Sequence, residues 1–318
     1  EPGPPTRVST VQMDFNGPLG TDEREKAHRD SIGAAWRLPP GQIFTQEGWD
    51  AAKTQGLRSL AAKRYPTASI GKSQADIDAD DAKARLSIAY DSGPAYRFGP
   101  LVVNGAQRYS ADAARRIARV PSGQDYDQQQ LLDAQQRLAS SGYYDSVFLT
   151  LDTADGVDPL VARVLAQVRE APLQKVVLGL GFTSDSGPRI SVDHIHNEMP
   201  VLGWRAVSRL SLDKNTQLLS SEWTDLPRDS GWRWFSSGLV KRDESAGSYT
   251  VDSARARLGQ NRTGERIDRS LFLQYDYSQS QGIDPPPSAS SLSMNWGWTG
   301  RYFDNNSLPT SGNGLGVE

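Results

Sequence analysis

The sequence lacks cysteine altogether and contains only three histidines. Without cysteine, the chain can form no disulfide bond and no thiolate metal site, and it has no cysteine nucleophile. No run of about 18 apolar residues is present, which is the length that a membrane-spanning helix requires. The charges nearly balance, with 35 Lys and Arg against 38 Asp and Glu. Bulk charge therefore does not predict nucleic-acid binding.

Residues for catalysis are also scarce. The sequence contains no G-x-S-x-G, P-loop or H-E-x-x-H motif. His194 and His196 stand at alternate positions beside Asp193, but two imidazoles without a well-placed third ligand make a weak metal site. We therefore predict that the protein is not an enzyme and that it holds neither a metal nor a cofactor.

Two segments of about eighty residues repeat one order of features within the first 170 residues. Each has an extended run that ends at Asn-Gly (Asn16-Gly17 and Asn104-Gly105), two helical stretches and two closing extended runs. In the later copy, Leu131, Ala134 and Leu138 recur at helical spacing and mark one apolar face. The pattern predicts the order β-α-α-β-β twice, with two helices covering one face of a small sheet.

The character of the sequence changes at Pro172. From there on, helical periodicity is absent and apolar residues alternate with polar ones, as at Leu271, Leu273, Tyr275 and Tyr277. The pattern predicts eight strands of about ten residues, a length that crosses a bilayer when tilted, and a ninth that starts at Gly312. Most tryptophans lie in this part, several near strand ends: Trp204, Trp223, Trp232, Trp234, Trp296 and Trp298.

Two architectures fit such alternation. One is a soluble antiparallel sandwich whose sheets each have one solvent-exposed face, and the other is a transmembrane β-barrel. The strand length and the polar, glycine-rich second face favour the barrel, because a sandwich has little reason to keep whole faces of Ser, Asp, Gln and Arg along ten-residue strands.

Residues 96–170 resemble a POTRA domain, on the motifs Val103-Asn104-Gly105, Gly123-Gln124-Asp125-Tyr126 and Leu138 to Val147. The strand Val176 to Phe182 and the turn Thr183 to Arg189 are similar to the first barrel strand and turn of the TamA family, within the BamA-like superfamily of outer-membrane insertases and transporters. The resemblance implies three POTRA domains and a barrel of about sixteen strands. We therefore expect this chain to be a fragment of a longer protein.

The predicted fold class is α+β, with two POTRA domains followed by part of an antiparallel transmembrane barrel. Residues 1–9 are predicted to be the end of a preceding POTRA domain or linker, and residues 10–92 and 93–172 the two POTRA domains. Residues 173–318 are predicted to be the N-terminal half of the barrel.

The resemblance implies a factor in the bacterial outer membrane, with its POTRA domains in the periplasm, that assembles autotransporters and other barrel proteins. In that family the edge of the first strand pairs with an incoming substrate strand. The edge here would comprise Val176, Val177, Leu178, Gly179, Leu180, Gly181 and Phe182. Two readings of Gly179 and Gly181 stay open: they permit close backbone approach, or they relieve crowding inside the barrel.

The resemblance also implies docking of clients, or of a TamB-like partner anchored in the inner membrane, on the strand edge after each second helix. These edges are predicted at Ala68, Ser69, Ile70, Gly71 and Lys72, and at Asp145, Ser146, Val147, Phe148 and Leu149. The other partners are unfolded barrel or autotransporter clients and the outer-membrane lipid. Two other functions stay open: a two-partner secretion transporter of the same superfamily, and a passive outer-membrane channel.

Overall fold

The computed structural model of the protein describes residues 5–184, 186–245, 249–264, 266–303 and 310–317. Four residues of the predicted linker (1–4), as well as Asp185 in the turn after the first barrel strand, lie outside this part. The chain folds into two compact units. The first takes the described residues of Glu1–Ala106, Ala118–Arg137 and Ser146–Val168, and the second those of Gln107–Ile117, Leu138–Asp145 and Arg169–Glu318.

The first predicted repeat forms a three-stranded sheet with helices, in the order β-α-α-β-β, as expected. Its middle strand, β3, pairs in parallel with β1 and antiparallel with β2. The elements are β1 (Arg7–Asn16), α1 (Pro18–Thr21), a 3₁₀ turn (Glu23–Glu25), α2 (Lys26–Ala34), α3 (Gln46–Ala61), β2 (Ser69–Asp78) and β3 (Lys83–Asp91).

The alternation of β3 decides where the core of this repeat lies. Ala84, Leu86, Ile88 and Tyr90 are buried on one face, because successive side chains of a strand point to opposite faces. They pack in one cluster with residues of the helical segments: Leu19, Ile32, Trp36, Trp49, Ala52 and Leu60. A Cβ atom at Gly56 would collide with the phenol of Tyr90, so glycine is required where α3 crosses this strand.

The second repeat follows the same order. Its strands are β4 (Phe98–Asn104), β5 (Tyr144–Leu151) and β6 (Ala162–Glu170), and its helices are α4 (Ala111–Ala118) and α5 (Gln128–Ala139). Strand β6 lies between β4, which is parallel to it, and β5. The predicted apolar face of α5 is buried at Leu131, Ala134 and Leu138.

Nine strands after Pro172 form one antiparallel sheet in which each strand neighbours the next along the chain. They are β7 (Gln174–Thr183), β8 (Gly187–His196), β9 (Arg205–Leu212), β10 (Thr216–Thr224), β11 (Trp232–Ser245), β12 (Tyr249–Thr263), β13 (Ile267–Gly282), β14 (Ala289–Phe303) and β15 (Gly312–Val317). The predicted fold class is thus confirmed.

The predicted lengths of five strands were wrong. Strands β11 to β14 have 14 to 16 residues, whereas about ten were expected. The first edge strand, expected at Ala68 to Lys72, begins at Ser69 and continues to Asp78. In both cases backbone pairing continues through polar residues such as Ser278 and Gln279, so apolar alternation marks only part of a strand.

Candidate strand-pairing and docking edges

The first strand of the large sheet, β7, lies at the edge of that sheet. It pairs with β8 from Gln174 opposite His196 to Thr183 opposite Gly187, and β8 is its one neighbour in the described part of the sheet. The backbone groups on its other side therefore meet no strand there. Such an edge is a template for an added strand, because unpaired N–H and C=O groups stand in a row.

One face of the sheet is apolar and solvent-exposed. Leu178, Val192, Leu210, Leu219 and Val240 lie directly opposite one another in a row across five strands. The exposed fraction of the Leu178 side chain is 74%. We call the side of the sheet that carries this row the apolar face. A large exposed apolar surface of this kind marks contact with lipid or with another protein.

The opposite, polar face carries ion pairs between neighbouring strands. Arg209 Nε lies 2.6 Å from Asp193 Oδ1, and the Arg255 and Asp276 carboxylate pair has the same separation. Each of these pairs joins residues directly opposite in the sheet. The face that the sequence predicted to be polar is thus held together by charge-assisted hydrogen bonds.

The two glycines of β7 have different surroundings. A Cβ atom at Gly179 would collide with the Ser191 hydroxyl, whereas a Cβ atom at Gly181 would meet no atom within 4 Å. Within the described residues, Gly179 thus lies close to a neighbouring side chain and Gly181 does not, and both interpretations of the two glycines remain predictions.

The predicted docking edges also lie on outer strands. Strands β2 and β5 are each at one side of a three-stranded sheet. At Gly71 the pairing with β3 shifts between Ile70 and Lys72, which is a bulge and bends the edge. On β5, Phe148 is 60% exposed and Leu149 is buried.

One of the backbone donors of β5 already has a partner from a helix. The N–H of Leu149 donates to Gln135 Oε1 over 2.9 Å, so this donor is not available to an added strand. The more open part of the predicted β5 edge is therefore before Leu149, and only the structure shows this difference.

Sequence analysis did not identify a carboxylate that ties β6 to the segment before α4. Glu170 Oε1 accepts hydrogen bonds from the backbone N–H groups of Gln107, Arg108 and Tyr109, at 2.8, 2.7 and 2.8 Å. Burial alone would raise the pKa of Glu170, but these donors and the Arg108 guanidinium outweigh it, and its pKa is below the ordinary 4.5. The Glu170 carboxylate, four residues before the start of β7, thus anchors the segment that precedes α4.

A second network lies beside the start of β9. Arg205 Nε donates to Asn197 Oδ1 over 3.0 Å, and Asn197 Nδ2 donates to the Pro172 carbonyl over 2.9 Å. A Cβ atom at Gly142 would stand 2.9 Å from the Arg205 guanidinium, so the guanidinium lies against the backbone there. Burial raises the pKa of neighbouring Tyr143 to about 12, and this phenol therefore stays protonated at neutral pH.

The two histidines of β8 were considered above as metal ligands. His194 Nε2 lies 3.4 Å from Gln174 Oε1, and no group of three or more His, Cys, Asp or Glu that could hold a metal occurs in the described residues. None of the helices in the described part of the chain has the length and hydrophobicity that a membrane span requires.

A sequence profile described as "POTRA: Surface antigen variable number repeat" matches residues 96–170. These are the residues from the start of β4 to the end of β6. They form a POTRA domain. Its match agrees with the segment that the sequence motifs indicated, and the repeat before it has the same order of elements.

The whole chain is similar in structure to BamA from Haemophilus ducreyi lacking POTRA domains 1-3. The TM-score is 0.66 at 14% identity, over 97% of this chain and 62% of that one. At this identity the likeness shows the fold: POTRA-like units followed by a sheet that matches part of a BamA-like barrel. CdiB from Acinetobacter baumannii matches with a TM-score of 0.47 at 16% identity, over 100% of this chain and 63% of that one. The chain thus spans less than two thirds of either structure.

Proposed function

We propose that this chain belongs to a non-catalytic outer-membrane protein of the BamA-like superfamily that assembles other β-barrel proteins. One observation carries the proposal: a POTRA domain is followed directly by an antiparallel sheet that has one exposed apolar face and one polar face and matches part of a BamA-like barrel. In this arrangement the apolar face contacts lipid, and the POTRA domains lie in the periplasm.

The mechanism follows from the chemistry of a sheet edge in lipid. Lipid offers no hydrogen-bond partner, so each backbone N–H and C=O of a membrane strand must pair with another strand. A client strand that pairs with β7 satisfies its own backbone groups and those of β7 at once. Gly181 supports this role, since it leaves space beside the strand for a client backbone. A Cβ atom at Gly181 would meet no atom within 4 Å among the described residues.

The finer proposal is a TamA-type factor whose clients include autotransporters. Its POTRA edges on β2 and β5 would receive unfolded clients or an inner-membrane-anchored partner of the TamB type. Exposed Phe148 offers an apolar contact on the β5 edge. The bulge at Gly71 makes the first part of β2 less suited to regular strand addition.

Disulfide trapping in the full-length protein tests the proposal. Because these 318 residues contain no cysteine, a Leu178→Cys substitution provides the one thiol in this part of the full-length protein. A barrel client with one cysteine in its terminal strand should form a disulfide with this thiol during assembly in the outer membrane.

Leu210→Cys is the matched control. Leu210 lies on the same face and in the same row, but β9 is paired on both sides. The proposal requires trapping at Leu178 and none at Leu210. Equal trapping at both positions, or none at Leu178 while clients assemble normally, would contradict it. Trapping of a secreted, unfolded passenger in place of a barrel strand would identify a secretion transporter instead.

A further inference from the structure

Two arginines face each other directly on the apolar face of the large sheet. Arg262 of β12 is opposite Arg269 of β13. The same row continues to Trp232 on β11 and to Trp298 on β14. Arg269 shares its face with Leu271, two residues further along β13. We call Trp232, Arg262, Arg269 and Trp298 the arginine row.

Neither Arg262 nor Arg269 forms an ion pair with a carboxylate in the described part of the chain, whereas neighbouring Arg301 pairs with Asp268. Like charges directly opposite each other destabilise a sheet. Elsewhere on the same face the sheet avoids this arrangement: Arg242 is directly opposite Asp252 and its Nε lies 2.6 Å from Asp252 Oδ1. The arginine row therefore concentrates two positive charges where an external anion would neutralise both.

The arginine row lies at one end of the apolar face. Arg262 lies one residue before the end of β12, and Arg269 lies two residues after the start of β13. In an antiparallel sheet β7 and β13 run in the same direction, so both arginines lie at the end of the sheet where β7 begins. Under the proposed function this end contacts the periplasmic leaflet of the membrane.

Trp232 and Trp298 are residue types that favour the headgroup region of the periplasmic leaflet. Tryptophan rings prefer the headgroup region, where one part is apolar and the N–H is hydrated. The Trp298 ring leans over Gly300, where a Cβ atom would stand 2.6 Å from its Cη2 atom. Glycine at this position thus allows the ring to lie along the strand end beside Arg269.

We propose that the arginine row binds an anionic phospholipid of the periplasmic leaflet, with the lipid phosphate between the Arg262 and Arg269 guanidinium groups. Side chains directly opposite in a sheet start from Cβ atoms about 5 Å apart, so one phosphate can accept hydrogen bonds from both. Guanidinium groups bind phosphate through paired N–H donors. The tryptophans on either side lie at the level of the headgroup. This inference rests on the proposed membrane location.

Native mass spectrometry of the full-length protein, released from nanodiscs, measures the lipid that stays bound. In nanodiscs containing phosphatidylglycerol, the unsubstituted protein should retain this lipid. Retention by the Arg262→Gln/Arg269→Gln variant should fall about thirtyfold, since each basic residue at a membrane surface contributes about fivefold in affinity. In nanodiscs of phosphatidylcholine alone, retention should be low for both proteins.

The matched control is Lys214→Gln/Arg228→Gln. It removes the same net charge from exposed turns outside the arginine row, and it should retain phosphatidylglycerol as the unsubstituted protein does. Equal retention of both lipids by the unsubstituted protein would overturn the inference. So would an equal loss in both double variants, because that result would reflect net charge rather than a site.

The two proposals fail in distinguishable ways. If client trapping at Leu178 persists while the Arg262→Gln/Arg269→Gln variant retains phosphatidylglycerol as the unsubstituted protein does, only the lipid site is refuted. If the unsubstituted protein does not insert into nanodiscs at all, the membrane location fails, and the lipid site fails with it. Circular dichroism of both double variants verifies that the sheet still forms.

Discussion

Replacing Glu170 by alanine should release the segment that precedes α4. The carboxylate accepts three consecutive backbone N–H groups within 2.8 Å. A hydrogen bond to a charged group contributes about 2 kcal/mol. Gln107 and Arg108 are exposed, so water replaces the carboxylate at these two donors, whereas Tyr109 is buried. We therefore expect a total loss of about 2 kcal/mol rather than three times that amount.

Hydrogen–deuterium exchange in the intact protein measures this loss where it occurs. Exchange of a protected amide reports the free energy of local opening, so 2 kcal/mol corresponds to exchange about thirtyfold faster at Gln107, Arg108 and Tyr109. Glu198→Ala is the control, because Glu198 is an exposed carboxylate between β8 and β9. Unchanged exchange at all three amides in Glu170→Ala would refute the anchoring role.

The same anchor should depend on pH. The pKa of Glu170 is lower in the folded protein than its ordinary value of 4.5. A carboxylate with a depressed pKa stabilises the fold fully above its unfolded pKa, and this contribution is lost as the pH falls through the folded pKa. Protection of the three amides, corrected for intrinsic exchange rates, should therefore be constant above pH 4.5 and decline below it. The decline should be absent in Glu170→Ala.

Three further predictions concern β7 and the first repeat. Gly179→Val should loosen the pairing of β7 with β8, seen as faster amide exchange in both strands, because its side chain collides with the Ser191 hydroxyl. Gly181→Val should leave that exchange unchanged but reduce client trapping at the β7 edge, and normal trapping would remove Gly181 from the mechanism. Arg64→Ala should destabilise the first repeat by about 3 kcal/mol in denaturant titration, because buried Glu25 loses its arginine partner and keeps only His28, whose Nδ1 lies 3.4 Å from Glu25 Oε2. A change below about 1 kcal/mol would show that the Arg64–Glu25 pair is not structurally important.

The order of elements was predictable from the sequence because both relevant periodicities are local. Leu131, Ala134 and Leu138 mark a helix face within two turns, and the alternation at Leu271 and Leu273 marks a strand face within three residues. The same alternation separated the apolar from the polar face of the large sheet. Asn-Gly pairs and the POTRA motifs identified the second repeat, which the matched profile confirms over residues 96–170.

The strand ends were less predictable. Alternation vanishes where both faces of a strand are polar, although backbone hydrogen bonding continues there. Strand β13 runs on to Gly282 through such residues, and β2 to Asp78. The roles of the β7, β2 and β5 edges in pairing and docking remain predictions, and the disulfide trapping at Leu178 tests the first of them.

By itself, the sequence determined the order of helical and extended segments and, where apolar and polar residues alternate clearly, which side of a strand is apolar, because neighbours along the chain decide these features. Only the tertiary structure decided which residues meet across the chain. Glu170 bonds to Gln107, 63 residues away, and the register of β12 with β13 places Arg262 opposite Arg269. A shift of one residue would reverse every side chain of a strand, so register depends on all pairings and turns of the sheet together, and no local pattern contains it.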